Sequence, residues 1–243
     1  MTLAEILDSL FPDGHDIAVR SDHLVIGTGK RADGSPVEVI GIADGDALGI
    51  SGLLPLAARV LEVVGEGGKT PILVLVDTEG QLMSRYDEML GLNEYLSHLA
   101  KCLLLASLNG HPTIALNYGK AAAGAFLATA GATDVLVGLP GAEPAVMDLP
   151  SMARVTKLPL EKLTELSKTT PVFAPGLDSM FKVGAVTQLW DPTTPLGPQF
   201  EATLANFPAV DTRDALGAER GGRTVAAGIA RTVADRASGD HYA

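Results

Sequence analysis

The segment that decides the fold is Pro71-Ile72-Leu73-Val74-Leu75-Val76, which is followed directly by Asp77-Thr78-Glu79-Gly80-Gln81. An uninterrupted apolar run of this length suits a central strand that is covered on both faces of its sheet. The polar and glycine residues that follow predict a turn at the carboxyl end of that strand. The segment therefore predicts an α/β domain whose central strand opens into a turn.

A second strand and turn lie further along the chain. Residues 112–118 predict a strand, and Gly119-Lys120-Ala121-Ala122-Ala123-Gly124 leads from it into a helix of small residues, from Ala125 to Gly131. Near the N-terminus, Asp33-Gly34 separates two β-type segments, which is a strong signal for a hairpin. The hairpin segments are 22–30 and 36–42, and further short strands are predicted at 134–138, 142–147 and 185–190.

The rest of the chain is predicted to be mainly helical. Apolar residues at helical spacing predict helices at 3–11, 53–64, 86–109, 160–168, 175–182 and 221–236. The stretch 191–208 is predicted to be a loose connection. The expected organisation is a single domain over residues 1–243, with a helical C-terminal part at about 191–243.

Composition limits the possible partners and the compartment. The chain has 18 basic and 29 acidic residues, a net charge of −11, which argues against a nucleic-acid partner. Cys102 is the single cysteine, so no internal disulfide can form, and a reducing compartment is expected. The first residues lack the features of a secretory signal, and no apolar stretch approaches membrane-spanning length. A cytoplasmic protein without a membrane partner is expected.

Several common site motifs are absent from the sequence. There is no His-x-x-x-His or Cys-x-x-Cys pair with the spacing of a zinc site, so no metal is expected. There is also no Gly-x-x-x-x-Gly-Lys-Ser/Thr loop and no Gly-x-Ser-x-Gly elbow. Chemistry that uses a metal, a phosphate-binding loop or a serine nucleophile of these types is therefore not predicted.

The two small-residue turns are the candidate site. Backbone amides near Gly80, Ala123 and Gly124 can point at one oxygen and hold the negative charge of an enolate, without any side-chain nucleophile. Removing one such donor typically lowers a rate by about a hundredfold to a thousandfold. Close packing of a helix on a sheet would require the same small residues, and residue types alone favour that structural explanation.

These same residues resemble the crotonase superfamily, and within it the carboxyltransferase subunits of acyl-CoA carboxylases. Asp77-Thr78-Glu79-Gly80 resembles an Asp-Thr-Pro-Gly turn in the α-type subunit, and residues 119–128 resemble its glycine-rich turn and helix. Asp134 matches an acidic residue that opens the next strand. Over the whole chain, including the tail 213–223, the sequence is most similar to the γ subunits of malonate decarboxylase.

The resemblance implies a fold and a function. The implied fold is a crotonase-type (ClpP/crotonase-like) spiral of ββα units with peripheral helices. The implied function is decarboxylation of malonyl-S-acyl carrier protein to acetyl-S-acyl carrier protein and CO2, together with a homologous β subunit. Further implied partners are the acyl carrier protein subunit and its acyltransferase subunit. The chain itself would bind no cofactor, because the prosthetic group of the carrier delivers the thioester.

Side chains near the turns are candidate substrate contacts, and other functions remain open. The candidates are Gln81, Tyr118, Gly119 and Lys120. One alternative is a carboxyltransferase subunit that passes the carboxyl group to biotin, and another is a non-catalytic scaffold of the β/γ pair. The cluster Arg220-Gly221-Gly222-Arg223 is either a contact for the phosphate of the prosthetic group or the acidic carrier, or a turn with ordinary salt bridges.

Overall fold

The computed structural model describes residues 1–238, and within that range eight strands form a central sheet that eleven α-helices surround. The strands are β1 (His15–Val19), β2 (Leu24–Lys30), β3 (Pro36–Leu48), β4 (Ile72–Gln81), β5 (Thr113–Ala122), β6 (Val135–Gly138), β7 (Glu143–Ala145) and β8 (Gln188–Leu189). The helices are α1 (Leu3–Leu10), α2 (Ile50–Glu66), α3 (Arg85–Leu90), α4 (Leu92–Leu108), α5 (Ala123–Ala128), α6 (Leu149–Thr156), α7 (Leu160–Thr169), α8 (Leu177–Lys182), α9 (Leu196–Ala205), α10 (Arg213–Glu219) and α11 (Ala226–Ser238). The predicted α/β class is confirmed.

The strands follow the order β1-β2-β3-β4-β5-β6-β8, and β7 lies beside the end of β5. The first three strands pair antiparallel, which confirms the hairpin predicted around Asp33-Gly34. All later pairs are parallel, so each connection must cross over a face of the sheet. These crossovers carry the carboxyl ends of the parallel strands to one edge of the sheet.

Two apolar cores cover the two faces of the sheet. Alternate residues of β4 point to opposite faces, so Val74 contributes to a first core with α2, α4 and α5, whereas Leu75 contributes to a second core. The second core includes Phe11 after α1 and Phe200 of α9, both almost fully buried. The predicted covering of the central strand on both faces is confirmed.

The sheet changes register at one level across three strands. Val76 of β4 pairs with Asn117 of β5, but the next pair is Thr78 with Ala121. The buried Asn117 side chain occupies the gap, where its Nδ2 donates hydrogen bonds to the Val76 carbonyl at 3.1 Å and the Gly119 carbonyl at 3.0 Å. A similar shift separates β3 from β4 after Ile42. Beyond this level the strand ends form a separate upper part of the sheet, which β7 joins.

Several boundaries differ from the sequence-based predictions. The helix predicted at 86–109 is two helices, because Gly91 adopts a left-handed φ of 87° between α3 and α4. The stretch 191–208 contains α9, whose Leu196 and Phe200 are buried, so the prediction of a loose connection was wrong. The helix predicted at 221–236 begins at Ala226, and β1, α6 and α10 were not predicted. Three helices, α9 to α11, lie between residues 191 and 238.

No helix within residues 1–238 has both the length and the apolar character that crossing a membrane would require. The predicted domain extends to residue 243, and its last five residues, 239–243, lie outside the described range.

A buried ion pair joins β3 to α2. The Glu38 side chain is 3% exposed and accepts two hydrogen bonds from Arg59, Nε to Oε1 and a terminal nitrogen to Oε2, both at 2.7 Å. These bonds raise the pKa of Arg59 above its usual range. Arg59 also contacts Glu62, whose side chain is 61% exposed. The bidentate geometry compensates Glu38 for its loss of water.

We expect Arg59→Ala to lower the free energy of unfolding by about 3 kcal/mol, because it leaves the Glu38 carboxylate buried without its partner. Urea unfolding followed by circular dichroism measures the change. Glu62→Ala is the matched control and should cost no more than about 0.5 kcal/mol, since it removes one of two exposed partners of the same arginine. Equal losses in the two variants would contradict this account.

Candidate active site

The prediction of turns at these positions was wrong, because residues 77–81 are the end of β4 and residues 119–122 are the end of β5. These two segments, still referred to as the two turns, lie against each other. A Cβ atom built on Gly80 would lie 3.6 Å from the Ala122 carbonyl oxygen and 3.7 Å from the Ala123 Cβ. Gly80 has a φ of 132°, which favours glycine, and Ala123 has a φ of 55°, in the left-handed region that residues with a Cβ rarely adopt. Backbone strain of this kind is concentrated at functional sites and must be held by its surroundings.

Two of the three proposed donor amides already have acceptors within the chain. The Gly80 N–H donates to Thr78 Oγ1 at 3.2 Å, and the Gly124 N–H donates to Gln81 Oε1 at 2.8 Å. Ala123 is the first residue of α5, a helix of six residues, and Gly124 is the second. Gln81 therefore acts as an N-terminal cap of α5 from the end of β4, although the two residues are 43 positions apart.

The remaining predicted contacts form a second group beside the other core. Asp77 Oδ1 accepts a hydrogen bond from the Lys120 backbone N–H at 2.9 Å. A Cβ on Gly119 would lie 2.3 Å from the Asp77 Cγ, so only glycine leaves room for that carboxylate. Tyr118 packs against the second core, whereas Gly124 lies against Leu96 of the first core. The structure thus separates Gln81 and Gly124 from Tyr118, Gly119 and Lys120.

The Tyr118 hydroxyl is buried and has no hydrogen-bond partner within the part of the chain that the structure describes. Burial raises the pKa of this phenol above its usual value, and the nearby carboxylates of Asp77 and Asp44 raise it further. Tyr118 is therefore a neutral hydroxyl at any physiological pH, and it can donate one hydrogen bond.

A cavity of about 410 Å³ opens beside this second group. Its charged lining residues are Asp44, Asp77, Glu79, Lys120 and Glu143. Four carboxylates face one lysine, so the cavity repels an anion such as a malonyl carboxylate. Charge therefore favours the Gln81 and Gly124 side of the turns over this cavity as the place for an anionic substrate.

A cavity of about 670 Å³ lies beyond α5. Its walls are mainly apolar and include Phe126 and Leu127 of α5. Arg213 at its edge forms an ion pair with Asp211 and donates to the Gly131 carbonyl at 3.1 Å. The hydrogen bond from the Arg213 side chain lowers the pKa of Asp211. Arg223 also lines this cavity.

The two arginines of the predicted Arg220–Arg223 cluster have different roles. The Arg220 guanidinium donates to the carbonyls of Phe181, Val186 and Thr187 at 2.8–2.9 Å, and it lies 3.7 Å from the centroid of the Phe181 ring. Desolvation lowers its pKa. Arg220 therefore connects the end of α10 to α8 and to the segment before β8, and its hydrogen-bond donors stabilise the fold.

Three polar side chains that were not predicted as site residues, Asp77, Thr78 and Asn117, hold the turns. Each forms a hydrogen bond with a backbone group of the turns: Asp77 with the Lys120 N–H, Thr78 with the Gly80 N–H and Asn117 with the Gly119 carbonyl. Their position at the ends of two apolar strands was a usable signal, because buried polar side chains normally carry hydrogen bonds.

A family model, described as the malonate decarboxylase gamma subunit, matches residues 43–237. The chain belongs to the malonate decarboxylase gamma subunit family. The resemblance inferred from the turns and from the tail 213–223 is thereby confirmed.

A characterised relative supports this placement in the gamma subunit family. It is the malonyl-S-ACP:biotin-protein carboxyltransferase MADD of Malonomonas rubra, which is 33% identical over 171 residues. That match covers 65% of this chain and 59% of the relative, so the chain spans less than two thirds of the length of that protein.

The fold of this chain is shared by several solved structures. A chain of the Pseudomonas malonate decarboxylase hetero-tetramer in complex with coenzyme A matches with a TM-score of 0.78 and 25% identity, over 96% of this chain and 99% of that one. A chain of the Pseudomonas MdcD-MdcE hetero-dimer matches with a TM-score of 0.74 and 25% identity, over 96% of this chain and 98% of that one. A chain of transcarboxylase 12S matches with a TM-score of 0.70 and 20% identity, over 84% of this chain and 41% of that one. At this identity the match shows the fold alone. The predicted crotonase-type fold is confirmed.

We expect Gly119→Ala to lower the free energy of unfolding by roughly 1–3 kcal/mol, because the added methyl group displaces the Asp77 carboxylate from the Lys120 amide. Chemical denaturation measures the change. Gly65→Ala is the control: it lies in α2 with nothing within 4 Å of the added Cβ, and alanine favours a helix. A stable Gly119→Ala with an unchanged denaturation midpoint would show that the carboxylate does not need this space.

We expect Arg220→Ala to lower the free energy of unfolding by roughly 2 kcal/mol and to speed proteolysis around α10, because three carbonyls lose their donor. Arg223→Ala is the matched control, because no hydrogen bond of its guanidinium is found within residues 1–238, and it should change the free energy of unfolding by no more than about 0.5 kcal/mol. Limited proteolysis with mass spectrometry locates the cleavage. Loss of stability in Arg223→Ala alone would reverse the assignment.

Proposed function

We propose that this chain acts with a homologous beta-type subunit to decarboxylate a malonyl thioester carried by an acyl carrier protein, giving the acetyl thioester and CO2. The match of the gamma subunit family model over residues 43–237 carries this proposal. The similarity to a chain of the Pseudomonas hetero-dimer MdcD-MdcE supports the pairing with a second subunit. An acyltransferase subunit that loads the carrier completes the proposed complex, in the cytoplasm.

The reaction requires a device that stabilises an enolate. Cleavage of the bond between the α-carbon and the carboxyl group releases CO2 and leaves the electron pair on the thioester as an enolate, and a proton then adds to the α-carbon. Donors that bind the enolate oxygen more strongly than the thioester oxygen lower the barrier. The proposed donors are the backbone amides of Gly80, Ala123 and Gly124, at the contact between the two turns, which act on the oxygen directly or through a side chain that they polarise.

The proposed substrate contacts lie on both sides of that contact. Gln81 bonds to Gly124, which lies against Leu96 of the first core, whereas Gly119 and Lys120 line the acidic cavity. Tyr118 precedes Gly119 and packs against the second core. The carrier's prosthetic group supplies the thioester, and the chain itself requires no bound cofactor for this step. Thr78 and Gln81 accept the hydrogen bonds of the Gly80 and Gly124 amides. These amides can therefore act on a substrate only if the bonds break, or if the accepting side chain itself binds the substrate.

Two observations favour other functions. The similarity to the biotin-protein carboxyltransferase MADD favours a subunit that passes the carboxyl group to biotin. The bond between the Gly124 amide and Gln81 favours a scaffold, because an amide that already has an acceptor polarises a substrate less. In the scaffold case the partner subunit would carry all the chemistry.

We expect CO2 release from malonyl-S-acyl carrier protein when this chain and the beta-type subunit are mixed, and background release from either subunit alone. Carbon dioxide is measured from malonyl thioester labelled in its carboxyl group. Avidin should have no effect, because no biotin takes part.

Each other outcome selects an alternative. Full activity of the beta-type subunit alone would reduce this chain to a scaffold. Inhibition by avidin would instead support the alternative in which the subunit passes the carboxyl group to biotin. Absence of CO2 release from the mixture, with both subunits folded and associated, would refute the proposed function.

A further inference from the structure

The orientation of the Gln81 carboxamide follows from its hydrogen bond to Gly124. A backbone N–H can only donate, so the atom that faces it at 2.8 Å must be the carboxamide oxygen, Oε1. This contact removes the usual ambiguity between the oxygen and nitrogen of a glutamine side chain. The Nε2 amide group must then point away from α5.

The Nε2 group is a donor with little to bind. Within the described residues its contact is Met83 Sδ at 3.6 Å, and a thioether sulfur is a weak acceptor. Gln81 is partly exposed, and the neighbouring Met83 is 76% exposed. Two N–H bonds are therefore presented at an accessible point next to the contact between the two turns.

We propose that Gln81 Nε2 is the group of this subunit that binds the carbonyl oxygen of the malonyl thioester and the enolate oxygen that replaces it. The proposal rests on the proposed function. The Gly124 amide then acts indirectly and does not touch the substrate. Its N–H polarises the carboxamide through Oε1, which makes Nε2 a stronger donor. Gln81 touches the substrate, and Gly124 positions Gln81.

The backbone around Gly124 fits this arrangement. Ala123 is held at a φ of 55°, and a Cβ on Gly124 would lie 3.2 Å from Gln81 Oε1 and 3.2 Å from the Leu96 Cδ1. A side chain at residue 124 would push the carboxamide away. The strained turn therefore keeps the Gly124 amide aimed at Gln81, and the absence of a side chain lets the carboxamide approach.

Three roles of Gln81 predict different behaviour of two substitutions. As a donor to substrate, Gln81 fails when it becomes glutamate, which still accepts the Gly124 hydrogen bond but places a negative oxygen where Nε2 was. As a cap of α5 alone, glutamate works as well as glutamine, and alanine fails. As a plug over the Gly124 amide, alanine opens the donor and raises activity.

The test measures kcat and KM for CO2 release by the complete beta and gamma pair, with wild-type, Gln81→Glu and Gln81→Ala gamma subunits. We expect Gln81→Glu to lower kcat/KM by about a hundredfold or more, mainly in kcat, because a donor to a developing oxyanion is replaced by a like charge. Its thermal unfolding midpoint and its association with the beta-type subunit should match those of the wild type.

Gln188→Glu is the matched control for the change of charge. Gln188 Oε1 also accepts a hydrogen bond, from Thr203 at 2.7 Å, and the residue lies in β8 at the far edge of the sheet. This variant should retain wild-type kcat and KM, which shows that an added carboxylate is harmless where no substrate oxygen is bound.

The outcomes separate the inference from the proposed function. If the wild-type pair releases no CO2, the proposed function fails and the inference fails with it. If the wild-type pair is active and Gln81→Glu is equally active, Gln81 is a cap and the inference alone is overturned. A Gln81→Ala pair that is faster than wild type would identify a plug, which also overturns the inference.

Discussion

The carboxyl edge of the sheet depends on the hydrogen bonds of one buried side chain, that of Asn117. Pairing between β4 and β5 is regular up to Val76 and Asn117, and it resumes at Thr78 and Ala121. From Val76 to Thr78 is two residues and from Asn117 to Ala121 is four, so backbone carbonyls at this level lose their ladder partners. Asn117 Nδ2 donates to two of them. Without this amide, buried carbonyls would remain unsatisfied and the two turns would not be held together.

The candidate site is a product of that interruption. Because β5 gains residues relative to β4, its end can bend, and Ala123 reaches the backbone of Gly80. The same bend brings the Gly124 amide to the side chain of Gln81. The polar groups of the site are therefore placed by strand pairing below them, and helix α5, with six residues, follows from that placement.

Much of the lower part of the sheet could be predicted from the sequence, and most of the upper part could not. Residues 72–76 and 114–116 are apolar on both faces, and such a run has few alternatives to a buried strand. The strand ends from Asp77 to Gln81 look like a turn in sequence, because their ladder partners lie 33 residues away in β3 and 43 residues away in β5, and only the assembled sheet supplies them. The α9 segment was misjudged because Pro192, Pro195 and Pro198 suggest a loop, whereas packing against α1 determines its structure.

The site shows the same limit. The contact between Gly80 and Ala123 could be anticipated from the family resemblance, but the acceptors of the Gly80 and Gly124 amides could not, since Gln81 and Gly124 are 43 residues apart. The face on which Gln81 lies was also beyond the sequence, because the positive φ of Gly80 alters the alternation of β4. The residue types were sufficient to predict the candidate residues. Only the structure showed that Gln81 and Gly124 form one group and that Tyr118, Gly119 and Lys120 form another.

The division of the sheet at Asn117 also has an evolutionary consequence. Below it, each residue of a central strand is packed on both sides, so a substitution must keep its volume and its apolar character. Above it, side chains need only avoid a few close contacts, such as those at Gly119. A chain built in this way can exchange the residues of its turns while its core is maintained. This chain shares 25% of its residues with the Pseudomonas subunit and still superposes with a TM-score of 0.78, which is the pattern that such independence produces.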